Sequence, residues 1–327
     1  MRRRQHSGAV SPSASYPHPG TGVASKSECQ RVGANTAGCL PVSAFRAAGL
    51  VVGRIIRRFS GPRPAAATST IHLAVDNLGQ ELDGYTILAL SDLHHSPGRD
   101  LAWLRHAVDT ATAASPDMIA LLGDYGESFR RMPVESQRWY RDIMREMTSE
   151  LTRLRARDGV VAVLGNHDYY AGASAVTEWL TSMGIDVLVN RARHVLRSRS
   201  VLRVAGLDDV REGHVDARAG CDVAEQVPTI VLSHNPDGVL RLDPRLRVDA
   251  VLAGHTHGGQ IAFPGVGALV TMARVCGPRS ASGWVKNPRV PLYVTRGLGE
   301  QLPLPLRLNA PRELLVLRLR PAVQHPA

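Results

Sequence analysis

At 327 residues, 44% apolar and 21% charged, the chain can bury a sizeable core and has the make-up of a globular protein in water. Its formal charge of +10 does not point to a nucleic-acid groove. Residues 1–70 hold ten Lys/Arg and a single acid, Glu28, so nearly all the excess lies ahead of a main domain that is close to neutral, and no nucleic-acid partner is expected.

Residues 1–43 are rich in Ser, Gly, Ala and Pro without periodic apolar content, and read as a disordered N-terminal segment. Arg2-Arg3-Arg4 lacks the apolar run that an export signal needs close behind it. Residues 44–69 read as a basic amphipathic helix and linker. Phe45, Ala48, Val52, Ile55, Ile56 and Phe59 share one helical face, and Arg46, Arg54, Arg57 and Arg58 take the other. Such a helix fits an anionic membrane surface, or equally a domain surface with its Arg face solvated. The expected location is therefore cytoplasmic or peripherally membrane-associated through residues 45–59, with export disfavoured. No stretch reaches the roughly 18 apolar residues of a membrane span. Cys29, Cys39, Cys221 and Cys276 form no C-x-x-C pair and read as structural thiols.

From Ile71 the texture changes to alternating strands and helices, and residues 70–320 read as one domain, with 321–327 as a tail. Strands are expected at 71–75, 85–90, 118–122, 160–164, 187–189, 201–205, 229–232, 248–253, 292–295 and 313–319. Helices are expected at 101–114, 134–155 and 173–183. Strands dominate the second half, which predicts an α/β fold with a mixed sheet or two stacked sheets flanked by helices.

Five of these strands end in metal-type side chains. Asp92 and His94 follow the strand at 85–90, and Asp124 follows Leu121-Leu122-Gly123. Asn166, His167 and Asp168 follow Val160–Leu164, His234 follows Ile230-Val231-Leu232, and His255 and His257 follow Leu252-Ala253-Gly254. Ligands in α/β sheets gather beyond the carboxyl ends of strands, so these loops can converge. In Asp-x-His and His-x-His, alternate residues of an extended segment point the same way and could reach one centre. Imidazoles, carboxylates and an amide together suit Mn, Fe or Zn better than Ca or Mg. Leaving His167 and Asp168 aside, the seven others exceed the needs of one tetrahedral ion and suit two ions sharing a carboxylate.

Asp92-x-His94, Gly123-Asp124, Gly165-Asn166-His167-Asp168, Ser233-His234 and Gly254-His255-Thr256-His257 closely resemble, in order, the motifs of the calcineurin-like dinuclear metallophosphoesterases. The resemblance implies a four-layer α/β/β/α sandwich. It also implies a first ion on Asp92, His94 and His257, a second on Asn166, His234 and His255, and Asp124 bridging them. The phrases Ser233-His234-Asn235-Pro236-Asp237, Gly254–Gln260 and Arg296-Gly297-Leu298-Gly299 resemble a bacterial subgroup of envelope-associated phosphodiesterases and UDP-diacylglucosamine hydrolases.

The chemistry so implied is in-line attack on a phosphodiester or pyrophosphate bond by a hydroxide bridging two divalent ions. His167 would be the catalytic donor to the leaving oxygen or the phosphoryl group. Asp168 would orient its neighbours from behind. His95 and Asn235 are candidate substrate contacts, and the substrate would be a phosphorylated small molecule or a lipid-linked one. Asp208-Asp209 fits either a further site or a solvated turn, and Trp284 and Tyr293 either a pocket wall or core packing. The alternatives to a diesterase are a phosphomonoesterase and a non-catalytic binding scaffold of the same fold.

Overall fold

A computed structural model describes residues 65–128, 136–286, 289–302 and 305–323. Residues 1–43 and the basic amphipathic stretch at 45–59 lie outside the described residues. Along the chain, β1 (Ala67–Val75), β2 (Thr86–Leu90), α1 (Ala102–Ala113), β3 (Met118–Leu121) and α2 (Ser136–Leu151) come first. Then follow β4 (Val160–Ala162), α3 (Asn166–Ala171), α4 (Ala173–Ser182) and β5 (Asp186–Val187). The second half is nearly all strand: β6 (Arg191–Arg197), β7 (Ser200–Gly206), β8 (Thr229–Ser233), β9 (Ala250–Ala253), β10 (Ala262–Phe263), β11 (Gly267–Ala268), β12 (Gly283–Val285), β13 (Leu292–Val294) and β14 (Glu313–Pro321).

Two six-stranded mixed sheets form, ordered β1-β14-β2-β3-β4-β5 and β12-β13-β9-β8-β7-β6. Period-two alternation explains how they stack. In β2 and β3, Ile87, Ala89, Met118 and Ala120 face a core shared with Leu202, Val204, Ile230, Leu232 and Leu252 of the other sheet. Their neighbours Leu88, Leu90, Ile119 and Leu121 face a second core, closed by Leu104 and Val108 of α1, Tyr140, Ile143 and Met147 of α2, and Val176 and Leu180 of α4. A strand buried on both faces is apolar along most of its length, hence the near-continuous runs in the sequence. Beyond the second sheet, Val231, Val251 and Val294 pack against Val239, Leu242 and Leu246. That outer layer is a 3-10 segment, Pro236–Leu240, with loops around it. The expected α/β architecture of mixed sheets with flanking helices is therefore present.

Besides α3, β10, β11 and β12, which the sequence did not suggest, two elements depart from expectation. The segment assigned to the linker up to residue 69 already belongs to the sheet, because β1 starts at Ala67, in parallel register with Glu313 of β14. Ala67-Thr68-Ser69-Thr70 carries no apolar signal, and pairing with β14 recruits it. The Arg-rich β6 was not expected as a strand. It is the sheet's edge, paired with β7 alone, and charge on an edge strand discourages unwanted pairing.

Candidate metal centre

β2, β3 and β4 are adjacent parallel strands of one sheet, and β8 and β9 are adjacent and parallel in the other. Their carboxyl ends meet. Both oxygens of Asp92, after β2, accept the amide of His255, after β9, at 3.1 and 3.0 Å. The Nδ1 of His234, after β8, lies 2.8 Å from the carbonyl of Leu122, after β3. A carbonyl can only accept, so that Nδ1 carries a proton and Nε2 is the nitrogen turned inward.

Asp92, His94 and His257 bring one ligand atom each within 4.8 Å of one another, and so do Asp124, His234 and His255, and His94, Glu127 and His167. The first two groups meet at a single atom. Asp124 Oδ2 lies 3.4 Å from His94 Nε2 and 3.1 Å from His234 Nε2. Its other oxygen accepts the His167 amide at 2.9 Å. Asn166 begins the short helix α3 directly beneath, because Gly165 lets the chain close on Asp124: a Cβ there would stand 2.2 Å from Asp124 Oδ1.

The route by which paired ligands reach the centre differs from the extended-chain expectation. Asp92, His94, Asp124, His255 and His257 have φ values of 53, 41, 56, 71 and 54°, all in the left-handed region. His255 and His257 consequently point into different groups instead of sharing one face of an extended segment. Such backbone costs on the order of 1 kcal/mol or more per non-glycine residue and persists only where the surroundings enforce it, as functional sites commonly do.

Burial and charge oppose one another here. Burial pulls His94 and His234 down, but Glu127 beside the first and Asp124 beside the second hold both imidazoles at about 10. Burial drives His255 down to about 3, and burial with His94 nearby drives His257 well below the usual histidine range. Asp124 is held well below the usual carboxylate range: burial opposes this, and His234 and His167 outweigh it. The imidazoles face each other across nitrogen–nitrogen distances of 3.1 Å, His234 to His255 and His257 to His94. Asn166 Oδ1 is buried without a hydrogen-bond partner. Converging imidazole nitrogens, buried carboxylates and an orphaned amide oxygen fit a divalent cation, which would take the place of the protons on His94 and His234, and the clusters form a divalent metal-binding site.

Around this site stands a support that the sequence showed only in part. Asp168 accepts from the amides of Gly165 (2.8 Å), Asp124 (2.8 Å) and Tyr125 (3.1 Å) and from the Tyr140 hydroxyl (3.0 Å). Glu127, fully buried, lies 3.2 Å from His94 Nδ1 and accepts the Leu302 amide at 3.3 Å. Arg307 donates to the His257 carbonyl at 3.3 Å and sets a second nitrogen 3.3 Å from that ring's Nδ1. Arg211 comes within 3.4 Å of His255 Nε2. Ser128 donates its amide to His167 Nδ1 at 3.4 Å, and the side-chain amide of Gln301 stands 3.1 Å from His167 Nε2. Neither Glu127, Gln301, Arg211 nor Arg307 belongs to a strand-end run of metal-type residues, which was the signal that singled out the other positions.

His95 and Asn235, the candidate substrate contacts, each have a protein partner. The ring of His95 turns away from the metal ligands, with Nε2 2.7 Å from Glu146 of α2, where it ties the loop to that helix. Asn235 spends its side-chain oxygen on the Asp237 amide at 2.9 Å, capping the 3-10 segment. Asp208 and Asp209 form a buried turn, in which Asp209 takes the amides of Arg211 (3.0 Å) and Glu212 (2.8 Å). Tyr293 packs in the core between the sheets and donates to Glu313 at 2.9 Å, while Trp284 stands 45% exposed on edge strand β12. Cys221 and Cys276 are buried free thiols.

Among known proteins, the chain is 31% identical over 241 residues to the uncharacterized metallophosphoesterase YkuE of Bacillus subtilis, covering 73% of this chain and 80% of that one. It is likewise 31% identical over 240 residues to the phosphodiesterase YaeI of Escherichia coli, covering 72% and 82%. A transmembrane protein with metallophosphoesterase domain from Danio rerio is 29% identical over 267 residues, which cover 77% of this chain but 57% of that relative. This chain thus spans little more than half the length of that larger protein. Among the described residues, no helix is long and apolar enough to cross a membrane. The family description calcineurin-like phosphoesterase matches residues 85–259, the interval that runs from β2 through the His255 and His257 turn. With its strand-end ligands converging on one metal-binding site, the chain belongs to the calcineurin-like phosphoesterase family.

Proposed function

We propose that this chain is a dinuclear metal-dependent phosphohydrolase cleaving phosphodiester or pyrophosphate bonds, with residues 70–320 as its catalytic domain. The observation that carries the reading is the position of Asp124 Oδ2, 3.4 Å from His94 Nε2 in one ligand group and 3.1 Å from His234 Nε2 in the other. Asp92, His94 and His257 would hold one divalent transition-metal ion (Mn, Fe or Zn) and Asn166, His234 and His255 a second, with Asp124 as the carboxylate common to both groups. Bound there, the ions supply Lewis acidity, activating water and neutralising charge that develops on the phosphoryl oxygens. His167 supplies a proton donor. Burial lowers its pKa, so the ring is neutral near pH 7, and with Nδ1 accepting from Ser128 its proton sits on Nε2. Nε2 thus offers an N–H to the leaving oxygen or the phosphoryl group. The Gln301 side-chain nitrogen stands 3.1 Å from Nε2, so this tautomer requires that amide turned to present its oxygen. The relative named as a phosphodiesterase supports diesters ahead of monoesters. The basic apolar segment at 45–59 supports a lipid-linked substrate.

The test is hydrolysis of bis-p-nitrophenyl phosphate and p-nitrophenyl phosphate by metal-stripped protein restored with Mn or Zn. Metal should restore activity, the diester should be preferred, and His167→Ala should lose about 100-fold or more while still binding metal. Turnover that ignores metal removal, or that survives in purified His167→Ala, would overturn the reading.

Glu127 acts through His94 by fixing the ring from behind. Glu127→Ala is expected to weaken metal binding by about 10- to 100-fold, with turnover largely regained at saturating metal. An unchanged metal titration of hydrolysis would contradict this role.

A further inference from the structure

Directly after the last histidine motif, β10 and β11 pair as a short antiparallel ribbon, Ala262 with Ala268 and Phe263 with Gly267. The ribbon and the residues just after it are unusually bare. Phe263, Val266, Leu269, Val270 and Met272 are 43, 60, 62, 57 and 54% exposed, five of the eleven exposed large apolar side chains among the described residues. Leu269 and Val270 are sequence neighbours, so in extended chain they point to opposite sides, yet both are more than half exposed. Leu308, 43% exposed, joins them through the bridge between its backbone and Ile261. Scattered single exposed apolar residues need no explanation, whereas a cluster of six marks a contact surface.

Charge identifies what the surface meets. Arg274 and Arg279 stand exposed after the ribbon, and residues 261–290 hold no Asp or Glu, while Asp237 accepts the Arg274 and Val275 amides at 2.8 and 2.9 Å. Arg279 is exposed and rests on the turn of the ribbon, donating to the Gly265 carbonyl at 2.7 Å, and Trp284 stands exposed in the same stretch. Apolar tips among cations, with an aromatic ring of mixed character nearby, match the boundary between phospholipid headgroups and acyl chains. A second copy of this chain is a poorer match, since a two-fold contact would set exposed Arg274 and Arg279 against their own copies.

We propose that the ribbon around β10 and β11 docks this protein onto an anionic phospholipid bilayer, with Phe263, Val266, Leu269, Val270 and Met272 entering the interface. The ribbon starts at the catalytic mouth. Gln260, at its base, accepts the Gln301 amide at 2.8 Å and donates to the Gln301 carbonyl at 3.2 Å, and Gln301 contacts His167. Docking itself is independent of which bond is cut. That it would offer the site to a phosphoester borne on a lipid rests on the function proposed above.

The test is flotation of the full chain with vesicles of phosphatidylcholine, with and without phosphatidylglycerol. The protein should float with the anionic vesicles, and Val266→Asp combined with Leu269→Asp should reduce partitioning by about tenfold or more. Leu196→Asp, on edge strand β6 at the opposite end of the second sheet, should float as the unaltered protein does. Hydrolysis of soluble bis-p-nitrophenyl phosphate should be equal in all three, so that loss of docking is distinguishable from failure of the catalytic reading. The proposal is overturned if the unaltered protein does not float, or if the ribbon variant floats equally well. It is also overturned if that variant loses hydrolysis, or if only its sedimentation coefficient changes, which would make the ribbon a contact between protein chains.

Discussion

Asp124→Asn is expected to lower diester hydrolysis by about three orders of magnitude, roughly 4 kcal/mol of transition-state stabilisation, with the fold intact. The side chain is isosteric, and its remaining oxygen can keep the His167 amide that Asp124 Oδ1 now accepts at 2.9 Å. The other position fails. Asp124 Oδ2 stands between His94 and His234, where an anion is required and an amide nitrogen would present two N–H groups instead. Metal content should fall with turnover, while the circular dichroism spectrum and melting curve stay close to those of the unaltered protein. A variant that keeps its metal and its turnover would show that this carboxylate does not join the two ligand groups.

The second large effect is on stability. Asp168→Ala removes one acceptor from four donors at once: the amides of Gly165, Asp124 and Tyr125 and the Tyr140 hydroxyl, all in a buried setting. A buried donor left without a partner costs about 1–3 kcal/mol, so a loss of about 4 kcal/mol or more is expected in urea denaturation. Asp168→Asn, which keeps an oxygen, should recover part of it. A loss under about 1 kcal/mol for the alanine variant would mean that water or a backbone shift takes over those donors. The same four bonds fix the turn that carries Asp124. Catalysis should therefore fall further in Asp168→Ala than the unfolded fraction explains.

What the sequence could reveal followed from burial on two faces. β2, β3, β4, β8 and β9 are apolar through their middles because each lies between two cores, and metal-type side chains follow their ends abruptly. That contrast made the ligand positions legible. The backbone that aims them was not, since nothing in Asp-x-His or His-x-His announces left-handed conformations at residues 92, 94, 255 and 257. Arg-rich β6 and the Ala67–Thr70 start of β1 gave no strand signal, because edge pairing draws on backbone groups rather than apolar side chains. Glu127, Gln301 and Arg307 follow no period, and Gln301 and Arg307 meet partners 134 and 50 residues away, so only folding reveals them. His95, adjacent in sequence to a ligand, illustrates the converse, as its ring belongs to Glu146 of α2.

The most direct test of the central claim is the rate of bis-p-nitrophenyl phosphate hydrolysis by metal-stripped protein as Mn is added in measured equivalents per chain. The arrangement of two ligand groups around Asp124 predicts a rise that breaks at two equivalents and does not develop in Asp124→Asn. A break at one equivalent, or hydrolysis undiminished by stripping, would contradict it.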